Sequence, residues 1–375
     1  MHNIILSGGL AFLITFFSIP VIIEVAKDKK LFDMPGGRKV HDAVIPTLGG
    51  LGIFAGFIIA MLIGVPPSEA SVLQYFIAAI MIIFFMGIKD DILILTATKK
   101  FVGQLIAAAI LIKFAGIRIT DMYGMMGINT LSPTVSFLIT LFTIVVITNS
   151  FNLIDGVDGL AGSLGLLTSI TFGGYFYLSG QVMYSVIALS LTGSLIAFLI
   201  YNFNPAKIFM GDTGSLLIGL INSILVIKFI NIASGPASAF PLQSAPAIGF
   251  SILLVPLFDT LRVVSHRILS RRSPFSPDRN HIHHFLLDLG LNHKKVAFTC
   301  VTANILFIII AYFLRASGSS IVMLILIGGA TFLVSIIYFF KSKRKIVVIN
   351  GQLDAKPLIK TQNIIRVLRE TIQQD

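Results

Sequence analysis

Eleven apolar runs, most close to twenty residues long, recur along the chain at about 3–25, 47–65, 72–88, 101–117, 133–150, 159–179, 182–202, 213–233, 245–269, 296–314 and 320–340. A lipid core offers backbone N–H and C=O groups no water, so a spanning segment must be a helix or a strand of a closed barrel. Barrel strands are about ten residues long and alternate in polarity, whereas these runs are continuous and of helix length. The fold class read from them is all-α: a polytopic integral membrane protein with about 11 transmembrane helices. Charged residues make up only 12%, about half the share in soluble domains, which excludes an ordinary soluble enzyme or nucleic-acid binder. The run at 245–269 contains Pro246, Pro256, Asp259 and Arg262, which predicts a broken or tilted helix there. Asp259 and Arg262 read as a structural i, i+3 ion pair. The first run lacks a basic leader and a small-residue cleavage site, so it is expected to stay as a span. Cys300 is the sole cysteine and can form no intrachain disulfide.

Lysine and arginine set the orientation of such a chain. With eleven spans, 24 of the 28 basic residues fall on one side: the loop 26–46, Lys89, Lys99, Lys100, Lys207, the stretch 262–295 and the tail from Lys341. Only Lys113, Arg118, Lys228 and Arg315 fall on the other. The expectation is an N-terminus outside, a C-terminus in the cytoplasm, a catalytic membrane domain over 1–340 and a basic cytoplasmic tail over 341–375. Within that tail, the apolar positions of 358–372 allow an amphipathic helix.

The unusual polar residues crowd the basic side. Asp90-Asp91 ends an apolar run, and two adjacent carboxylates call for a cation or a solvated helix end. Asn149, Asn152, Asp155 and Asp158 recur at intervals of three, with Gly156 and Gly159 after the acids. Hard oxygen donors suit Mg²⁺; the bland alternative is an Asn/Asp-rich turn. Lys207-Ile-Phe-Met-Gly-Asp-Thr-Gly-Ser215 opens the eighth span. It reads as a helix start whose free N–H groups suit phosphate, or else as a plain N-cap. Arg271 to His284 combines arginine with His281, His283 and His284. That set suits phosphate better than zinc, because no cysteine or second cluster completes a tetrahedral site. Arg38, Lys39 and His41 precede Pro46-Thr47-Leu-Gly-Gly50, a second glycine-rich helix start. Carboxylates for a metal beside cations for phosphate, all on one face, point to phosphoryl transfer.

These motifs resemble those of the polyprenyl-phosphate N-acetylhexosamine-1-phosphate transferases. The carriers are GIKDD (87–91), NSFNLIDGVDGLAG (149–162), KIFMGDTGSL (207–216), SPFSPDRNHIHH (273–284) and RKVH with PTLGG in the first loop. The likeness runs from roughly residue 10 to 315. The SPDR-x-HIHH form is similar to that of bacterial undecaprenyl-phosphate N-acetylglucosaminyl 1-phosphate transferases. The phospho-N-acetylmuramoyl-pentapeptide transferases carry three consecutive histidines, where Ile282 interrupts here. Lys89 also departs from the apolar residue common before the acid pair, and the tail has no counterpart.

The resemblance implies roles by position. Asn152 and Asp212 would hold Mg²⁺, with Mn²⁺ a substitute. Asp90 matches the proposed base, and Asp91, Asp155, Asp212 and His283 join it in the catalytic set. Substrate binding would fall to Arg38, Lys39, His41, Thr47, Lys99, Lys100, Asp158, Phe209, Arg279, His281 and His284. Phe209 would stack on uracil, Arg279 with His283 would meet the donor pyrophosphate, and Lys99 and Lys100 compete for one phosphate-binding position. The implied reaction moves N-acetylglucosamine 1-phosphate, or a near relative, from the UDP-sugar to undecaprenyl phosphate. It would occur at the cytoplasmic face of a bacterial inner membrane, open an envelope glycan pathway, involve no nucleic acid and be compatible with a homodimer. The rivals are the pentapeptide transferase and a secondary transporter, although transporters place ionisable groups at midplane.

Overall fold

The computed structural model describes residues 2–29, 45–235, 238–273 and 280–349. Among these residues thirteen α-helices follow one another: α1 His2–Asp28, α2 Gly49–Gly64, α3 Ala70–Leu93, α4 Ala97–Lys113, α5 Pro133–Ile154, α6 Leu160–Leu178, α7 Val182–Asn202, α8 Gly211–Ala233, α9 Ala245–Ile252, α10 Leu254–Leu269, α11 Ile282–Asp288, α12 His293–Phe313 and α13 Ser319–Ile349. No strand occurs among the described residues, and an isolated bridge joins Asp121 to Thr130. Each of the eleven apolar runs lies on one helix or, at 245–269, on the pair α9 and α10. Among the described residues, seven helices are long and apolar enough to cross a membrane, and eight if that bent pair counts as one crossing. α2, α4 and α6 are the shorter or less apolar members of the bundle. α13 continues through Lys341 without a break, and residues 350–375, with the expected amphipathic segment, lie outside the described residues.

α8 is the axis. It packs on α2, α3, α5, α6 and α9, and most of its residues are buried. α1 lies along α7 and α2 on the periphery, turning Ile5, Leu6 and Phe17 outward. Water-free helices gain their contacts by close packing of small residues. A side chain at Gly193 would strike the carbonyl of Gly8, and one at Gly87 would strike the backbone of Thr213.

The expected break is real. α9 and α10 meet at 83° around Leu253. Pro256 can donate nothing to the preceding turn. Buried Asn304 of α12 takes over: its Nδ2 donates to Ile252 O at 2.9 Å, and its Oδ1 accepts from Val255 N–H at 2.9 Å. An amide side chain thus closes the hydrogen bonds that the bend opens. α10 then carries Asp259 and Arg262 to the end of the bundle where the other polar motifs gather.

Candidate active site

The site forms where α3 and α5 end and α2, α4 and α8 begin. Backbone pairing joins two glycine-rich motifs directly. Phe209 N–H donates to Pro46 O (2.7 Å), Gly49 N–H to Phe209 O (2.9 Å) and Gly50 N–H to Met210 O (2.8 Å). Gly211 sits at φ +70°, and a side chain there would collide with Thr47 O and the Asp91 carboxylate. Such a positive φ in so tight a place admits only glycine.

Asp91 caps α8. Its Oδ1 accepts from Asp212 N–H (2.7 Å), and its Oδ2 accepts from Thr213 N–H (3.1 Å) and Thr213 Oγ1 (2.5 Å). A carboxylate there satisfies the first-turn donors and the positive end of the helix dipole. This corrects the expectation of free N–H groups for phosphate at this helix start: those of Asp212 and Thr213 are already taken.

Asp90 points elsewhere. Its Oδ1 accepts from Leu95 N–H (2.5 Å), and its Oδ2 meets Lys100 Nζ at 2.6 Å. Lys100 also meets Asp212 Oδ2 at 2.6 Å, so one ammonium bridges the two acids. Lys99 is exposed, and the structure therefore brings Lys100, not Lys99, into the cluster. From α5, Asn152 Nδ2 donates to Ser215 Oγ at 3.0 Å on the first turns of α8. Asn149 is tied to Gln104, its Nδ2 donating to Gln104 Oε1 at 2.6 Å. Asp155 follows the last turn of α5. Burial, and then the charges of Asp212, Asp91 and Asp158, push its carboxyl up to about 8.

Four acidic side chains, Asp90, Asp91, Asp155 and Asp212, therefore gather here, and Lys100 is bonded to two of them, Asp90 and Asp212. That excess suits a divalent ion. Among the described residues no three His, Cys, Asp or Glu side chains are arranged to enclose one. The donors fit Mg²⁺ nonetheless, because it keeps waters and takes one or two protein oxygens plus substrate phosphate. Asp212 offers a carboxylate oxygen. Asn152, with its amide nitrogen committed to Ser215, offers its carbonyl oxygen.

Asp158 is buried in the wall. Its Oδ2 accepts from Asn204 Nδ2 (2.8 Å), and its Oδ1 lies 3.2 Å from His293 Nδ1. It braces the loop that ends in half-buried Phe209, assisted by Asn202, whose Nδ2 donates to Ile208 O at 2.9 Å.

The histidine segment packs beside the turn after α5. Asp259 accepts from Arg262 Nη2 at 2.9 Å, from Ile282 N–H at 3.0 Å and from His281 Nδ1 at 2.9 Å. The expected ion pair with Arg262 is present, but sequence reasoning missed the link from Asp259 to His281. The signal available was an acid inside an apolar run, which is rare without a purpose. His283 lies against Gly156, where a side chain would strike its Nε2, so the histidine segment packs on the turn that carries Asp155. Burial, and then neighbouring His284, lower the His283 pKa to about 3, which keeps the ring neutral. The His283 and His284 rings are 4.3 Å apart. Arg38, Lys39, His41 and Arg279 lie outside the described residues.

Comparison with known proteins places this arrangement. Residues 73–230 match glycosyl transferase family 4. The chain is 34% identical to a probable undecaprenyl-phosphate N-acetylglucosaminyl 1-phosphate transferase of Bacillus subtilis (strain 168), covering 84% of this chain and 86% of that protein. It is 33% identical to a decaprenyl-phosphate N-acetylglucosaminephosphotransferase of Mycobacterium leprae, over 79% and 80% of the two chains. It is 29% identical to an undecaprenyl-phosphate alpha-N-acetylglucosaminyl 1-phosphate transferase of Yersinia pestis, over 78% of each.

Proposed function

The chain belongs to the polyprenyl-phosphate N-acetylhexosamine-1-phosphate transferases, and from that premise we propose that it transfers N-acetylglucosamine 1-phosphate from UDP-N-acetylglucosamine to undecaprenyl phosphate. The observation that carries the reading is the lysine-bridged pair Asp90–Lys100–Asp212 beside Asn152 and Asp155, with His283 packed on Gly156 of the same turn. A lipid-phosphate oxygen attacks the β-phosphorus of the donor. The bond from that phosphorus to the bridging oxygen breaks, and UMP leaves with the electron pair.

Asp212 and Asn152 would hold Mg²⁺, which when bound offsets charge on the donor pyrophosphate. Asp91 fixes the first turn of α8 and with it Asp212. Lys100 is placed for a phosphate oxygen. Phe209, Arg279 and the histidines are assigned to the donor, as the family motifs imply. A phosphate monoester loses its second proton near pH ~6, so the acceptor is mostly dianionic at neutral pH. Asp90, with both oxygens engaged, then orients Lys100 more than it takes a proton.

The same reading has the chain cross a bacterial inner membrane eleven times, with the site on the cytoplasmic face, as the distribution of basic residues supports. The test is UMP release by purified protein given undecaprenyl phosphate and a panel of UDP-sugars. UDP-N-acetylglucosamine should support turnover. Turnover only with UDP-N-acetylmuramoyl-pentapeptide, or with no UDP-sugar, would reject the assignment.

A further inference from the structure

We propose that Asp259 is a positioning residue for transfer, which rests on the transferase function above: it fixes His281 as the Nδ1–H tautomer and pins the start of α11, setting where the histidine segment meets the donor. Asp259 is 1% exposed, and an isolated carboxylate there would be costly. A helix-surface ion pair with Arg262 would have met that cost by itself. Instead the two residues bracket His281 on both sides. Arg262 Nη2 donates to Asn280 O on the near side, and Asp259 Oδ1 accepts from Ile282 N–H on the far side at 3.0 Å. Between them, Asp259 Oδ2 sits 2.9 Å from His281 Nδ1.

A carboxylate holding an arginine and a backbone N–H is ionised and can only accept. The proton is therefore on Nδ1, and Nε2 is the nitrogen presented to whatever approaches. The placement is passed on. The His281 and His283 rings lie parallel, 9° apart in plane with centroids at 5.6 Å, and His283 rests on Gly156 beside Asp155. Arg262 is itself held: its guanidinium lies 5.2 Å from the Phe285 ring, which Lys341 of α13 covers at 4.0 Å. The bend at Leu253, closed by Asn304, aims α10 so that Asp259 reaches this segment.

The test combines a spectroscopic readout with kinetics on the full chain. ¹⁵N-histidine NMR of the wild-type protein, with the His281 signal identified by its loss in His281→Gln, should show Nδ1 protonated in the neutral ring. Asp259→Asn should switch that ring toward the Nε2–H form, because the carboxamide NH₂ can donate to Nδ1. It should lower kcat/KM for UDP-N-acetylglucosamine by about 10–100-fold, as loss of such an orienting partner does. The dependence on Mg²⁺ should be unchanged. The double variant Asp259→Asn/His281→Gln should be no slower than the worse single variant, because both act through one ring. An Nε2–H tautomer in the wild type, unchanged kcat/KM in Asp259→Asn, or multiplying losses in the double variant would each overturn the proposal. If Asp259→Asn fails to fold, the wild-type tautomer still decides. If wild-type protein releases no UMP, the transferase reading fails, whereas the NMR result still settles the Asp259–His281 assignment.

Discussion

Two acidic regions lie at the same end of the bundle, and their surroundings treat them in opposite ways. Around Asp259 every charge is answered: Arg262, His281 and a backbone N–H converge on one carboxylate. Around Asp212 acids outnumber cations, and Lys100 is shared between Asp90 and Asp212. The first region is complete as it stands, so its work is to hold something in place. The second carries unmet negative charge in a partly dry setting, a cost kept only where a bound cation or substrate relieves it. The distinction separates groups that position from groups that bind, although all of them are aspartates.

The sharpest way to break this contrast is to remove divalent ions. Excess EDTA should reduce UMP release to background, with recovery on adding Mg²⁺ or Mn²⁺, and Asp212→Asn should lower kcat by roughly 10²–10³-fold while the protein still elutes as a folded species. Full turnover in EDTA would mean that the acid excess serves something else. The next contrast lies between neighbours. Lys100→Met should cost roughly 10–100-fold in kcat/KM, the worth of its charged hydrogen bonds. Lys99→Met should stay within about twofold, and equal effects would show that the bridge is not part of the site.

A third change weakens the frame behind the satisfied cluster. Asn304→Ala leaves Val255 N–H and Ile252 O buried without their partner, and should lower stability by about 1–3 kcal/mol in thermal unfolding. The last change is read against pH and concerns Asp155. Its folded pKa of about 8 lies above the ordinary 3.8, so the folded protein holds that proton more tightly. The resulting stabilisation is complete below pH about 4 and is lost as the pH rises through about 8. Metal-free protein should therefore become less stable across that range, and Asp155→Asn should flatten the slope.

Much of this was legible in the sequence. The apolar runs located the helices because a bilayer leaves a chain few other choices, and Pro246, Pro256 and Asp259 marked the one that breaks. The motifs that share the site were visible because they fall on one side of the charge distribution. What was hidden is direction. Successive residues on a helix point about 100° apart, so Asp90 and Asp91 serve different partners, and Lys100 enters the cluster while Lys99 stays exposed; no spacing rule tells them apart. Asp91 hid as a cap because its partners, Asp212 and Thr213, lie more than a hundred residues away. Asn304 is a lone amide in an apolar run, and its role depends on a bend in another helix.

The most direct test of the central claim follows the phosphorus itself. UDP-N-acetylglucosamine labelled with ³²P at the β-phosphate and ³H in the sugar is incubated with purified protein, undecaprenyl phosphate and Mg²⁺, and the lipid is extracted. Transfer of the sugar 1-phosphate predicts that both labels enter the lipid in equal amounts, with unlabelled UMP left in solution. Sugar label in the lipid without ³²P, or neither label there, would contradict it.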